Sequence, residues 1–321
     1  MLSRVANSIY WMSRYIERAE NVARFVDVVR HLVLDLPDEA GNQWESLVQA
    51  AGAEELFAQQ YGEATMANVI RYLTFDRENP DSIASCLWAA RENARSVREV
   101  ISSEMWEQIN RAYLMVKDAG APARVEEDPA AFFSHFKKSC HLFLGITDTT
   151  MTHGEGWHFG RAGRLLERAD MTSRMIDVKY YVLLPRLDYV GSPYDNLQWA
   201  ALLKSISAFE MYRKRYQQII PKNVAEFLIL DSHFPRSMHY CVIKAEESIH
   251  AITGTPGGTY TNPVEQQIGR LRGEMDYAHI QDVLDMGLHE YIDTFQGRLN
   301  DLGQAVFETF FDVSVMPKLP A

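Results

Sequence analysis

The chain has 321 residues, and its 43 acidic against 32 basic side chains give a formal net charge of -11 at pH 7. A chain of this length builds a large core without staples, and the three scattered cysteines, Cys86, Cys140 and Cys241, exclude a disulfide framework or a zinc knuckle and suit reduced thiols in the cytoplasm. The acidic balance argues against a nucleic-acid binder, whose phosphate affinity needs an excess of lysine and arginine, so any anion site must be local.

Apolar residues recur at spacings of three and four through nearly the whole sequence, and no convincing strand is found. The first predicted helix, residues 3–33, opens "SRVANSIYWMSRYIERAENVARF". Its arginines and amphipathic pattern look like a transit peptide, but such peptides are poor in acids and this one holds Glu17 and Glu20. Further helices are predicted over 43–61, 81–117, 129–150, 157–184, 196–219, 236–252 and 263–311, some of them broken. Between them stand "LDLPDEAGN", "DRENPDS", "DAGAPARVEEDP", "LPRLDYVGSPYDN" and "TGTPGGTYTNP", where proline, glycine and aspartate supply turn chemistry. No apolar run approaches the roughly 20 residues of a membrane-spanning helix, so the expectation is an all-α protein without membrane attachment.

The second half of the chain writes the first again. Arg14, Glu17, Arg18, Ala19 and Arg24 recur in order as Arg164, Glu167, Arg168, Ala169 and Arg174, with Glu20 matched by Asp170. "QWESL" at Gln43 echoes "QWAAL" at Gln198, Tyr61 matches Tyr216, "YLTFDRENPDSIASC" aligns with "FLILDSHFPRSMHYC", and "QINR" at Gln108 resembles "QIGR" at Gln267. Matches kept in one order predict an internal duplication. We therefore expect two helical-bundle halves of long antiparallel helices about a pseudo-twofold axis: a first repeat over 1–120, a connecting helical segment over 121–156 and a second repeat over 157–321.

The repeated helix carries an unusual stripe. Trp11, Tyr15, Ala19, Val22, Ala23 and Val26 make an ordinary core face, while Tyr10, Arg14, Glu17, Asn21, Phe25, Val28 and Leu32 share the other side, apolar at its ends and charged in its middle. A solvated face laced with near-neighbour pairs, each worth about 0.2–0.5 kcal/mol, is one reading. The other is a covered layer. The second copy repeats the plan, following Arg164, Glu167 and Arg168 with Met175, Val178 and Val182, and a covered charge must be paired or it costs several kcal/mol. Asn93 and Glu104, at the edge of an apolar stripe in the segment 89–110, are candidate further members, with an arginine of the charged helix as the expected partner of Glu104. Arg91, Arg95 and Arg98 project on another side and are expected in solvent. The candidate ligand-binding set is thus Arg14, Glu17, Arg18, Asn21, Arg24, Asn93, Glu104, Arg164, Glu167, Arg168 and Arg174.

Other motifs carry less. Glu155–His158 and Glu247–His250 have the E-x-x-H spacing of di-iron bundles, but Glu155 lies between two glycines and no bridging glutamates can be identified, so no metal or cofactor is expected. "TGTPGGTY" lacks the lysine and the serine or threonine that end a P-loop. No serine or cysteine is tied to a base by spacing.

The strings "LSRVANSIYWMSRYIERAENVAR", "ARENARSVREVISSEMWEQIN" and "WHFGRAGRLLERADMTSR" resemble the alpha-E family of all-helical bacterial proteins, named for a glutamate-arginine motif, and the similarity spans almost the whole chain. The family motif falls on Glu17, Arg18, Glu167 and Arg168. What the resemblance implies is association with circularly permuted ATP-grasp proteins, which look like carboxylate-amine ligases, alongside transglutaminase-like peptidases and in some cases a proteasome-like N-terminal-nucleophile hydrolase. Three functional readings follow: a helical partner of a peptide- or amide-forming ligase that binds a carboxylate-bearing peptide, an amino acid or the partner itself; an enzyme in its own right, as an amide-bond transferase or a metal-dependent bundle; and a scaffold whose charges specify how the halves dock.

Overall fold

A computed structural model of the chain describes residues 1–35, 43–50, 54–182 and 193–312. These residues form sixteen α-helices, closed by a π-helical turn at Phe307–Phe311, with no strand among them. The first half holds α1 (Ser3–Asp35), α2 (Gln43–Ala50), α3 (Glu54–Tyr61), α4 (Met66–Thr74), α5 (Ile83–Ser96), α6 (Ser103–Lys117), α7 (Ala121–Glu127) and α8 (Pro129–Thr150). The second holds α9 (Glu155–Val182), α10 (Pro193–Ser205), α11 (Phe209–Tyr216), α12 (Pro221–Ile229), α13 (Met238–Thr253), α14 (Pro263–Asp276), α15 (Ile280–Met286) and α16 (Leu288–Val306).

The expected long segments are more broken than their periodicity suggests. The predicted 81–117 helix is interrupted between Val97 and Ser102, where Ser102 caps α6 by accepting from the Met105 N–H. The predicted 263–311 helix is cut at Tyr277–His279 and at Gly287, whose φ of 100° suits glycine alone. Three short helices, α4, α7 and α12, fall outside the predicted segments or inside turn clusters. In α7 and α12 a proline at the first turn begins the helix, where its missing N–H costs nothing.

The two halves pack in one order. In the first, α5 lies on α1, α6 on α5 and α8 on α6; in the second, α13 lies on α9, α14 on α13 and α16 on α14. Local details recur as well. Ser82 caps α5 and donates to the Asp76 carbonyl, as Ser237 caps α13 and donates to the Asp231 carbonyl. Phe57 stacks on Tyr61 with Tyr72 edge-on to both, and Tyr212 stacks on Tyr216 with Phe227 edge-on to both. Each half keeps a hydrophobic core of its own, and α1 contributes to both, sending Ile9, Met12 and Ile16 into one and Ala6 and Tyr10 into the other.

The expectation of antiparallel helices holds for these outer packings but not for the centre. α1 and α9 run parallel: the N-terminal amine of Met1 meets Glu155, Ser13 lies against Gly160, and Arg14 meets Glu167. Gly156, Gly160 and Gly163 allow the approach. A Cβ on Gly163 would stand 2.6 Å from the Tyr10 carbonyl oxygen, and one on Gly160 would stand 2.9 Å from Ser13 Oγ.

Candidate functional site

The charged middles of α1 and α9 face one another inside the molecule. Glu17, Glu20 and Glu167 are at most 1% exposed. Arg168 grips Glu17 with two hydrogen bonds, Nε to Oε1 at 2.8 Å and Nη2 to Oε2 at 2.7 Å. The reciprocal pair is Arg18 on Glu167, with Nε to Oε1 at 2.6 Å and Nη2 to Oε2 at 3.2 Å, and Arg14 Nε adds a bond to Glu167 Oε2 at 2.8 Å. Parallel packing is what makes the exchange possible, because it sets matching positions of the two helices side by side. Arginine's planar fork suits it to these two-point bonds.

Burial pushes the Glu17 carboxyl up, but Arg168 and Arg236 outweigh it and hold the group below the usual carboxylate range. Burial acts likewise on Glu167, and Arg14 and Arg18 overcome it. Each of these two carboxylates thus sits between two arginines that favour its charged form. Asn21 supports the layer, its Nδ2 donating to the Glu17 carbonyl oxygen at 2.9 Å and to Glu17 Oε1 at 3.2 Å.

Arg236 is a member of the layer that helix spacing does not mark. It precedes the cap of α13, donates to Glu17 Oε1 at 3.2 Å and also bonds Glu20. Glu20 further accepts from Arg24 Nη2 at 2.7 Å and lies 3.1 Å from His141 Nε2. The available signal is a charge reversal within the repeat: aligning "FDRENPDS" with "LDSHFPRS" sets Arg236 opposite Asp81. Asp81 accepts from Arg18 Nη1 at 2.6 Å, so the two halves treat the same position with opposite charges. Arg14, the residue aligned with Arg164, has Glu167, whereas Arg168 and Arg236 occupy Glu17, and Arg164 Nε is buried without an acceptor among the described residues. Burial, then the neighbouring Arg168, lower the Arg164 pKa to about 10.

The remaining candidates divide. Arg24 joins the layer, donating through Nη1 to the Ser205 carbonyl and to Ser207 Oγ, each at 2.8 Å. Arg174 is more open and bonds Asp170 through Nε at 2.9 Å. Asn93 and Glu104 are not part of the layer. Asn93 donates back to the Ala89 carbonyl within α5, and Glu104 is exposed on the first turn of α6, because the break after Val97 carries it away from the stripe. Of the arginines expected in solvent, Arg95 and Arg98 are exposed, whereas Arg91 is half-buried, bonding Asn110 and lying over Trp106 and Tyr113. The apolar bracket of the stripe is seen at Tyr10 and Met175, both buried; the side chains of Val28, Leu32, Val178 and Val182 lie outside the described residues.

The E-x-x-H pairs do not converge. Glu155 holds the N-terminal amine, Glu247 holds Arg161 and Lys244, and His250 Nδ1 lies 3.1 Å from the Thr255 carbonyl. Among the described residues no group of three or more histidine, cysteine or acidic side chains is placed to hold a metal ion. No helix of the described residues is long and apolar enough to cross a membrane.

A pocket of about 160 Å³ opens on one flank of the α1–α9 seam. Arg18, Asn79, Asp81, Asp170 and Arg174 form its polar rim, and Val22, Phe25, Leu47, Leu73 and Met171 its apolar wall. Arg18 belongs to both pocket and layer, so a ligand here would touch the end of the buried network. The arrangement offers ion pairing and shape; it contains no nucleophile with a base beside it.

Two uncharacterized proteins of Mycobacterium tuberculosis strains, 22% and 21% identical to this chain, and one of Mycobacterium bovis, 22% identical, each align over 97% of it. The chain spans 36% of the length of these relatives. No solved structure matches it. Residues 1–311 match the family described as "a predicted alpha-helical domain with a conserved ER motif". With Glu17-Arg18 and Glu167-Arg168 now seen exchanging partners across the central pair, the chain belongs to the Alpha-E family.

Proposed function

We propose that this chain is a helical accessory subunit of an ATP-grasp type peptide or amide ligase, one that recognises a carboxylate-bearing ligand on the flank of its central helix pair. The ligase setting comes from the resemblance described above. The observation that carries the binding role is the pocket beside the layer, where Arg174 spends only Nε on a counter-ion and is partly exposed. The Glu17–Arg168 and Glu167–Arg18 pairs play the other part: their hydrogen bonds are satisfied within the chain, which favours a docking role for the motif itself. On this reading the halves 1–120 and 157–321 are duplicated units, the segment 121–156 links them, and the layer sets their register.

The test is co-purification of the full chain with a circularly permuted ATP-grasp protein, together with amide-product formation by the pair. Arg174→Gln and Asp81→Asn, both at the pocket rim, are expected to lower product yield about tenfold or more while the chain stays folded, by loss of charge-assisted contacts. Full yield from both folded variants would sink the binding role. Failure of the wild-type pair to associate would sink the partnership.

A further inference from the structure

The two flanks of the central pair are built to one plan and finished differently. On the flank opposite the pocket, the position matching Asp81 is Arg236, whose guanidinium bonds both Glu17 and Glu20. The position matching Asn79 is Phe234, a buried ring stacked 4.8 Å from Phe227. The position matching Arg174 is Arg24, which bonds Glu20 and also finds two further acceptors, the Ser205 carbonyl and Ser207 Oγ. That flank closes itself with a cation, an apolar ring and acceptor oxygens.

At the matching positions the open flank carries Asp81 in place of the cation and Asn79 in place of the ring, and among the described residues Arg174 has no acceptor beyond Asp170. Asp81 uses only Oδ1, on Arg18, and Asp170 only Oδ2, on Arg174, so each carboxylate keeps an oxygen without a donor among the described residues. Both terminal nitrogens of Arg174 are likewise without an acceptor there. Of the apolar wall, Phe25 and Met171 are partly exposed, whereas Leu47 and Leu73, like their counterparts Leu202 and Leu228, are buried. The space, about 160 Å³, is comparable to the cavities of about 150 Å³ that admit benzene.

We infer that the open pocket takes from a ligand what the closed flank takes from the chain: an ammonium against Asp81 and Asp170, an apolar side chain against Phe25 and Met171, and a carboxylate or carbonyl oxygen on Arg174. These three groups together are an apolar α-amino acid, free or at the amino end of a peptide. The mixed rim of two arginines and two aspartates explains the requirement, because a simple carboxylate would meet Arg174 but leave the spare oxygens of Asp81 and Asp170 without a donor. Asp170 is only 15% exposed, so a ligand that covers it without supplying a donor leaves a desolvated carboxylate oxygen unpaired.

This inference rests on the pocket reading above, and its test uses the full chain alone, so its outcome is separate from that of the ligase partnership. Calorimetric titration is run with L-leucine, L-leucinamide, N-acetyl-L-leucine and glycine. L-Leucine is expected to bind, with glycine and N-acetyl-L-leucine each weaker by about tenfold or more. Leucinamide equal to leucine identifies a peptide end, and leucinamide much weaker identifies the free amino acid; both support the inference. Asp81→Asn should weaken leucine about tenfold, and Asp81→Arg, which copies the closed flank, should abolish binding without lowering the thermal midpoint. Absence of binding by leucine and leucinamide up to about 10 mM, or equal binding by N-acetyl-L-leucine, overturns it. Unchanged leucine binding by folded Asp81→Asn overturns it as well.

Discussion

Glu17 is a carboxylate 1% exposed that stays charged because Arg168, Arg236 and Asn21 together supply its donors. Replacing it with glutamine keeps the shape but leaves buried Arg168 without its counter-ion and Arg236 with Glu20 alone, so Glu17→Gln should cost about 3–5 kcal/mol in urea unfolding. The pH dependence has a definite sign. Glu17, Glu20 and Glu167 all lie below the ordinary carboxylate value in the folded chain, so their stabilisation is complete above the unfolded value of about 4.3 and is lost as pH falls toward the folded values. Unfolding free energy should therefore be level above about pH 5 and drop below about pH 4, with a shallower drop in Glu17→Gln. A profile identical in the variant would remove Glu17 from the account. Spacing along α1 and α9 marked Arg14, Glu17, Arg18, Arg24, Glu167 and Arg168, which meet in the layer, but it left out Glu20, which is buried between Arg24 and Arg236. It could not identify Arg236, which enters from a loop, nor discard Glu104, whose helix ends earlier than its apolar period.

The central helices meet through small residues. Gly163 lies where any Cβ would press on the Tyr10 backbone, so Gly163→Ala must push α1 and α9 apart along the seam that aligns Arg18 with Glu167. The expected loss is about 1–3 kcal/mol, as for overpacking, read as a lower thermal midpoint. Gly145 in α8 is exposed, and an added Cβ there would meet nothing within 4 Å; Gly145→Ala should instead gain up to about 1 kcal/mol from helix propensity. If both variants behaved alike, close approach would not be what selects glycine at 163. "EGWHFGRAGR" reads as a poor helix by propensity, and its glycines make sense only once a second helix lies on them.

At the scale of the whole molecule, two hydrophobic cores flank one ionic seam. Crossing contacts tie the halves: α10 of the second half packs on α1, and α2 of the first packs on α9. Residues 1–153 and 154–321 produced as separate chains are expected to reassemble one to one. Glu17→Gln in one piece with Glu167→Gln in the other should weaken that association about a hundredfold or more, since each breaks a buried pair. Stable, independent monomers of both pieces would show that the seam does not govern assembly.

The amino-acid sequence alone determined that the fold is all-α, because a period of three to four residues is a property of each segment by itself, and it set Arg14–Arg24 beside Arg164–Arg174 as two similarly written stretches. Only the tertiary structure decided that these helices run parallel, that each glutamate is held by the other's arginine, and that among the described residues one flank is filled by Arg236 while the other carries a pocket. Direction and partnership depend on which surfaces meet, and periodicity along a single stretch of sequence carries no information about the helix that will lie across it.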